Sequence, residues 1–170
     1  QYQTGMEALN NGDITTGAAL IRQSADTGES IAQYRLSKLY ERGQGVPRDL
    51  ALSREWTEKA ALSGNVKAMH DLAVFYAEGE GGPQSYAGAV QWFRKAADYG
   101  LVDSQYNLGV LYEQGLGVTA NPAEALYWFR VADKLGDNAA SAKIEELKLQ
   151  VAPEVAEKTS ILASQYQPQQ

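Results

Sequence analysis

The sequence predicts an all-α fold, an α/α solenoid (superhelix) of helix-turn-helix repeats with a 36-residue period. Three observations predict it. The three tryptophans, Trp56, Trp92 and Trp128, are each 36 residues from the next, and they are the only three in the chain. The same interval joins Gly28, Gly64, Gly100 and Gly136, and again Tyr40, Tyr76 and Tyr112. It also joins the paired loop glycines Gly43/Gly45, Gly79/Gly81 and Gly115/Gly117. A fixed interval of this size marks units of one supersecondary element, each burying its apolar face against the next.

Residues 1–28 read as an N-terminal capping helix pair, a degenerate unit without the tryptophan. Its turn lies at Asn10-Asn11-Gly12-Asp13, and a second helix runs from about Thr15 to Asp26. Terminal repeats depart from the pattern because their outer face meets water.

Three full repeats follow, at 29–64, 65–100 and 101–136. Each first helix carries an apolar face: Ala32, Leu36, Leu39 and Tyr40, then Ala68, Leu72, Phe75 and Tyr76, then Ser104, Leu108, Leu111 and Tyr112. Spacing of i, i+4, i+7, i+8 buries one side of a helix. The following glycine supplies the positive φ that ends it. The Gly-rich loops lack the Lys-Ser/Thr of a phosphate cradle, and no strand precedes them, so they are turns.

Each second helix starts at Asp49, Ser85 or Asn121, whose side-chain oxygens suit an N-cap. Pro122 occupies the first helical position, and Glu124 is placed to close a capping box. The helices end at Gly64, Gly100 and Gly136. Their alanines allow close approach, and Trp fills the wider gaps. Repeat 2 is the weakest, with Gly82 in its loop and Gly88 inside its second helix. Residues 137–164 are expected to form divergent C-terminal capping helices, one longer helix from Asp137 to about Val151 and a last one after Pro153. Residues 165–170 are expected to be a disordered tail.

The repeat pattern is carried by Ala32-Gln-Tyr34-Arg-Leu36-Ser-Lys-Leu39-Tyr40-Glu-Arg-Gly43-Gln-Gly45-Val46, with Trp56 and Ala60-Ala61-Leu-Ser-Gly64. Gln105-Tyr106 to Gly117-Val118 repeats it most closely. It resembles the Sel1-like repeat, a relative of the tetratricopeptide repeat. That resemblance implies a module that binds proteins or assembles complexes, and not an enzyme. Lys67-Ala-Met-His70-Asp-Leu and the stretch from Ala89 through Trp92 to Tyr106-Asn-Leu resemble the repeats of PodJ-type polar localisation proteins of α-proteobacteria. This narrower resemblance implies a periplasmic scaffold segment of a cell-pole organising protein, anchored upstream in the inner membrane. Its partners would be cell-envelope or polar-organelle proteins, or, alternatively, peptidoglycan glycan or stem peptide.

Composition narrows the choices further. The net charge of −6 disfavours nucleic acid and anionic membrane surfaces. Without cysteine there is no disulfide or thiolate metal site, and no apolar run approaches a membrane span. The chain begins with Gln and reads as an excised segment. No cofactor or metal is expected, because the single histidine, His70, rules out a multi-histidine site. His70 reads as a structural or groove-lining residue, its neighbour Asp71 pointing about 100° away. The acidic pairs Glu145-Glu146 and Glu78/Glu80 read as solvated charge, not as a glycosidase pair.

By analogy with tetratricopeptide repeats, the first helices line the concave face. The candidate partner-binding residues are the ladder Tyr34/His70/Tyr106, with Lys38 (matched by Val74 and Val110), Lys67, Asp103 and Glu113 (matched by Glu41 and Ala77). Tyrosine at this position suits either groove lining or packing between helices. Tyr40, Trp56, Gly64, Tyr76, Trp92, Gly100, Tyr112, Trp128 and Gly136 are the structural residues of the repeat.

Overall fold

A computed structural model describes residues 1–170 and holds ten α-helices and no strand. They are α1 (Tyr2–Asn10), α2 (Ile14–Asp26), α3 (Ser30–Arg42), α4 (Leu50–Leu62) and α5 (Val66–Glu78), followed by α6 (Tyr86–Asp98), α7 (Val102–Gln114), α8 (Pro122–Lys134), α9 (Ala140–Leu147) and α10 (Pro153–Ser164). This is the all-α solenoid of helix pairs that the 36-residue period predicts. The chain divides into two compact units, Gln1–Gln84 and Ser85–Gln170. The boundary falls between α5 and α6, so the packing units do not coincide with the sequence repeats.

In the first unit each helix from α1 to α5 packs on the next. Its core joins Ala18, Ile21 and Ala25 of α2 to Ala32, Leu36, Leu39 and Tyr40 of α3 and Trp56 of α4. In the second unit α8 is the hub, packing on α7, α9 and α10. Its Leu126, Phe129, Val131 and Ala132 are fully buried.

The turns explain the glycine pairs. Gly43, Gly79 and Gly115 cap α3, α5 and α7 with φ of 67°, 71° and 66°. The second glycine of each pair is needed twice over, since its φ is also positive and its Cα lies against another helix start. A Cβ on Gly45 would sit 2.6 Å from the Ile14 carbonyl oxygen, and those on Gly81 and Gly117 would collide with the backbone of Leu50 and Tyr86. Ile14, Leu50 and Tyr86 are the first residues of α2, α4 and α6, so each loop docks on the start of the preceding repeat's second helix.

The N-caps form as expected: Asp49, Ser85 and Asn121 accept from the backbone N–H groups of Leu52, Gly88 and Glu124 at 2.9–3.1 Å. Asp13 does the same for Thr16 and extends the series into the capping pair. The capping box at Glu124 does not close. The Asn121 N–H already donates to the Tyr112 carbonyl, as Asp49 N–H does to Tyr40, which leaves Glu124 to reach Arg94 at 3.9 Å.

Two further expectations are corrected at the C-terminus. The longer helix over 137–151 is only α9, Ala140–Leu147, because Asp137 accepts from Ala139 N–H in a turn and Lys148–Val151 turns away before Pro153. Residues 165–170, expected to be a disordered tail, are a turn at Gln165 and an irregular stretch that is tied down. Tyr166 and Gln169 bond the end of α6, through the carbonyls of Ala97 and Asp98.

The structural residues are not equivalent. Trp56 and Trp128 are buried at 7% and 3% exposure, whereas Trp92 is only half-buried. Tyr40 and Tyr112 are buried and accept hydrogen bonds from Arg22 (3.1 Å) and Arg94 respectively. For Tyr76, the equivalent tyrosine of repeat 2, the position that Arg22 and Arg94 hold is Glu58. Arg54, one turn earlier, stacks on Tyr76 at 4.2 Å instead. Its guanidinium also donates to the Glu80 and Pro83 carbonyls, passing where a side chain on Gly82 would stand. Gly82 therefore makes room for a replacement fastening. Gly64 and Gly136 end their turns at positive φ with open space around them, and Gly100 differs, with Pro168 against it.

Candidate functional site

The first helices bring side chains together differently in the two units. In the first, α3 and α5 form a half-buried polar cluster. The Tyr34 hydroxyl donates to Asp71 at 3.0 Å. The Lys38 ammonium lies 2.6 Å from the same carboxylate and 2.7 Å from Glu41. The Lys38 and Asp71 side chains are 21% and 22% exposed, enough to shield the pair without excluding a partner.

Burial, with the Asp71 carboxylate beside it, pushes the Tyr34 phenol up to about 12. Burial alone would lower the Lys38 ammonium, but hydrogen bonds to Asp71 and Glu41 outweigh it and hold the group above its usual 10.5. At neutral pH the phenol is therefore protonated and the Lys38 ammonium charged. A general base or nucleophile requires groups poised near the working pH, the opposite arrangement. What these groups offer is fixed charge and hydrogen bonding.

Of the other candidates in this unit, Lys67 is exposed on the first turn of α5, and His70 is half-buried on the same helix. The ladder places His70 as the equivalent of Tyr34, but it is the next residue, Asp71, that reaches Tyr34. Asp71 is the member of this candidate cluster that sequence reasoning missed. Position 143 is its repeat equivalent two units on, and Lys143 likewise reaches back to the preceding first helix, donating to Glu113 at 2.8 and 3.1 Å.

In the second unit this Glu113–Lys143 pair is the main ionic contact of α7 with α9. The hydrogen bond to Glu113 raises the Lys143 ammonium despite some burial. Tyr106 has Lys143 near it where Tyr34 has Asp71, and its ring packs edge-on against Phe129, centroids 5.2 Å apart. Gly109, one turn along α7, leaves room for that Phe129 ring. Asp103 is exposed in the first turn of α7, where a negative charge suits the helix N-terminus. Of the two tyrosines between groove and core, Tyr34 joins the polar face and Tyr106 joins the packing. The conspicuous buried polar residues, Gln33 and Gln105, are structural. They donate to the carbonyls of Ala25 (3.5 Å) and Ala97 (3.2 Å), tying one repeat's end to the next.

Three consecutive stretches, 30–65, 66–100 and 102–137, match the family model of the Sel1 repeat, together more than half the chain. The chain belongs to the Sel1 repeat family. Among solved structures this Sel1 repeat chain is similar to the Sel1 repeat protein from Oxalobacter formigenes, at 30% identity and a TM-score of 0.80, over 96% of this chain and 70% of that one. It is similar also to c5321, a protective antigen present in uropathogenic Escherichia coli strains displaying an SLR fold. There the identity is 34% and the TM-score 0.74, over 86% of this chain and 32% of that one. The chain thus spans about a third of the length of that antigen. Comparison with curated proteins finds no match. Sel1 repeats are in general protein–protein interaction modules, a non-enzymatic scaffold type of repeat.

Proposed function

We propose that this Sel1 repeat chain is a non-enzymatic docking module that captures a protein partner on the face of its first helices. Tyr34, Lys38, Glu41 and Asp71 form the centre of the site, with Lys67 and His70 on α5 beside them. The observation that carries this reading is the α3–α5 cluster, a tyrosine and a lysine held rigid by one carboxylate at the surface. A preorganised aromatic with a hydrogen-bonding tip binds at little entropic cost. In the second unit, taken by itself, Asp103 and the Glu113–Lys143 pair, with Tyr106 as support, occupy the first-helix positions that correspond.

The resemblance to PodJ-type repeats extends the reading. We take the parent to be a cell-pole organising protein with this segment in the periplasm, and the partner to be a cell-envelope or polar-organelle protein. A photo-crosslinker at Lys67, incorporated in the parent protein in cells, tests this. The expected product is one protein adduct that Tyr34→Ala and Asp71→Ala both diminish. Sedimentation with purified peptidoglycan is the companion measurement. Co-sedimentation that Tyr34→Ala leaves unchanged, with no protein adduct, would replace the protein partner by cell-wall glycan or stem peptide.

A further inference from the structure

The turn glycines Gly28, Gly64, Gly100 and Gly136 occupy one repeat position, yet their surroundings differ. A Cβ on Gly28, Gly64 or Gly136 would meet nothing within 4 Å, whereas one on Gly100 would lie 2.9 Å from the Pro168 side chain. The chain's own end covers this turn alone. It does so through contacts of the kind that read a peptide.

Tyr166 supplies the deepest contact. Its hydroxyl donates to the Ala97 carbonyl at 2.5 Å and lies 3.2 Å from that of Asp98, at the C-terminal end of α6. Gln105, fully buried on α7, donates to the Tyr166 oxygen at 3.3 Å, and the ring packs edge-on to Trp128 with centroids 6.3 Å apart. The main chain is held at both sides of the tyrosine. Lys134 donates to the carbonyls of Ser164 (2.7 Å) and Tyr166 (3.1 Å), and the Gln169 N–H donates to the Asp98 carbonyl at 2.8 Å. Pro168 rests on Gly100. Tyr166 is half-buried, whereas Pro168, beyond the side set against Gly100, is exposed like Gln165, Gln167, Gln169 and Gln170.

Backbone hydrogen bonds with one pocketed aromatic and free alternate side chains are how a surface binds an extended segment by main chain and selects it by a few side chains. Residue identity is read here mainly at the tyrosine, with the proline two residues later set against the side-chain-free Gly100. We propose that the surface formed by the end of α6, Gly100, Gln105, Trp128 and Lys134 is a recognition site for a partner segment carrying Tyr-x-Pro, which the chain's own end fills in cis. This site lies apart from the first-helix face and does not depend on the function proposed for it. A tethered occupant acts at an effective concentration on the order of mM. A partner segment therefore binds well only when the chain's own tyrosine is displaced.

The test is fluorescence anisotropy with a labelled peptide of the sequence of residues 164–170, titrated with the whole chain. Tyr166→Ala should bind it saturably, at least ~10-fold more tightly than the wild type, because the cis competitor has lost its anchor. Peptides with the tyrosine or the proline replaced by alanine should lose binding. Circular dichroism shows whether Tyr166→Ala remains folded. If it does not, Lys134→Ala, an exposed substitution that frees the same segment's carbonyls, serves as the second variant. It should expose the chain's own end to rapid amide exchange at Gln169 while the helices stay protected. A folded Tyr166→Ala that binds no peptide overturns the proposal. So does equal binding of the native and the tyrosine-free peptide, or, in the second variant, a Gln169 amide as protected as in the wild type.

Discussion

At the scale of single residues, the surroundings of a carboxylate set its effect. Asp71 accepts from Tyr34 and faces Lys38, so Asp71→Asn should lower stability by about 1 kcal/mol, read from denaturant unfolding. Tyr34 and Lys38 both have raised values, so both contribute stability that is complete at neutral pH. It falls away as pH rises above about 10, the phenol first reaching its unfolded value and the ammonium following. In Asp71→Asn that alkaline loss should flatten. Asp98 behaves in the opposite way. Burial raises its carboxyl above the usual 3.8, and it sits at the last residue of α6, where the helix dipole also disfavours negative charge. A raised carboxyl favours the folded state below pH 3.8 and costs stability at neutral pH. Asp98→Asn should therefore raise the melting temperature at pH 7 and leave it unchanged near pH 3.

At the scale of elements, loops and helix pairs carry the repeat. The two kinds of turn glycine separate by measurement. Gly64→Ala meets only an unfavourable φ and should cost about 1–2 kcal/mol. Gly81→Ala adds a collision with the backbone of Leu50 and should cost about 3 kcal/mol or more. The tryptophans separate too. Trp128→Ala, in the buried hub helix, should cost about 3–5 kcal/mol, and Trp92→Ala distinctly less, because Trp92 is half-buried with Lys95 over its ring at 4.3 Å. Equal costs at the two sites would show that burial does not govern this series. The sequence spacing made these elements legible because glycine φ, N-cap chemistry and helical periodicity are local. It could not distinguish Trp92 from its equivalents, since their burial depends on what each helix meets in space. Glu58 is a similar case. That Arg54 over Gly82 takes over the contact which Arg22 and Arg94 make elsewhere depends on the loop's path.

At the scale of the whole molecule, the repeat class was readable and the site only in part. Tyr34, Lys38 and Glu113 were placed on the partner face by their position in the repeat, and the structure gives each a charged partner. Asp71 and Lys143 were hidden because a residue that reaches back to the preceding first helix is one step off the ladder that the apolar pattern defines. Tyr106 was left between groove and packing, and Phe129, 23 residues away in sequence, decides for packing. The chain's end looked disordered because glutamines carry no packing signal, while its two anchors, Tyr166 and Pro168, are spaced too sparsely to show a period. The proposed function is tested most directly by the affinity of the protein captured at Lys67 for purified wild-type chain and for Tyr34→Ala, with melting curves alongside. The account predicts at least ~10-fold weaker binding by Tyr34→Ala, corresponding to about 1.4 kcal/mol or more, at an unchanged or slightly lowered melting temperature. Undiminished affinity in a folded Tyr34→Ala chain would contradict it.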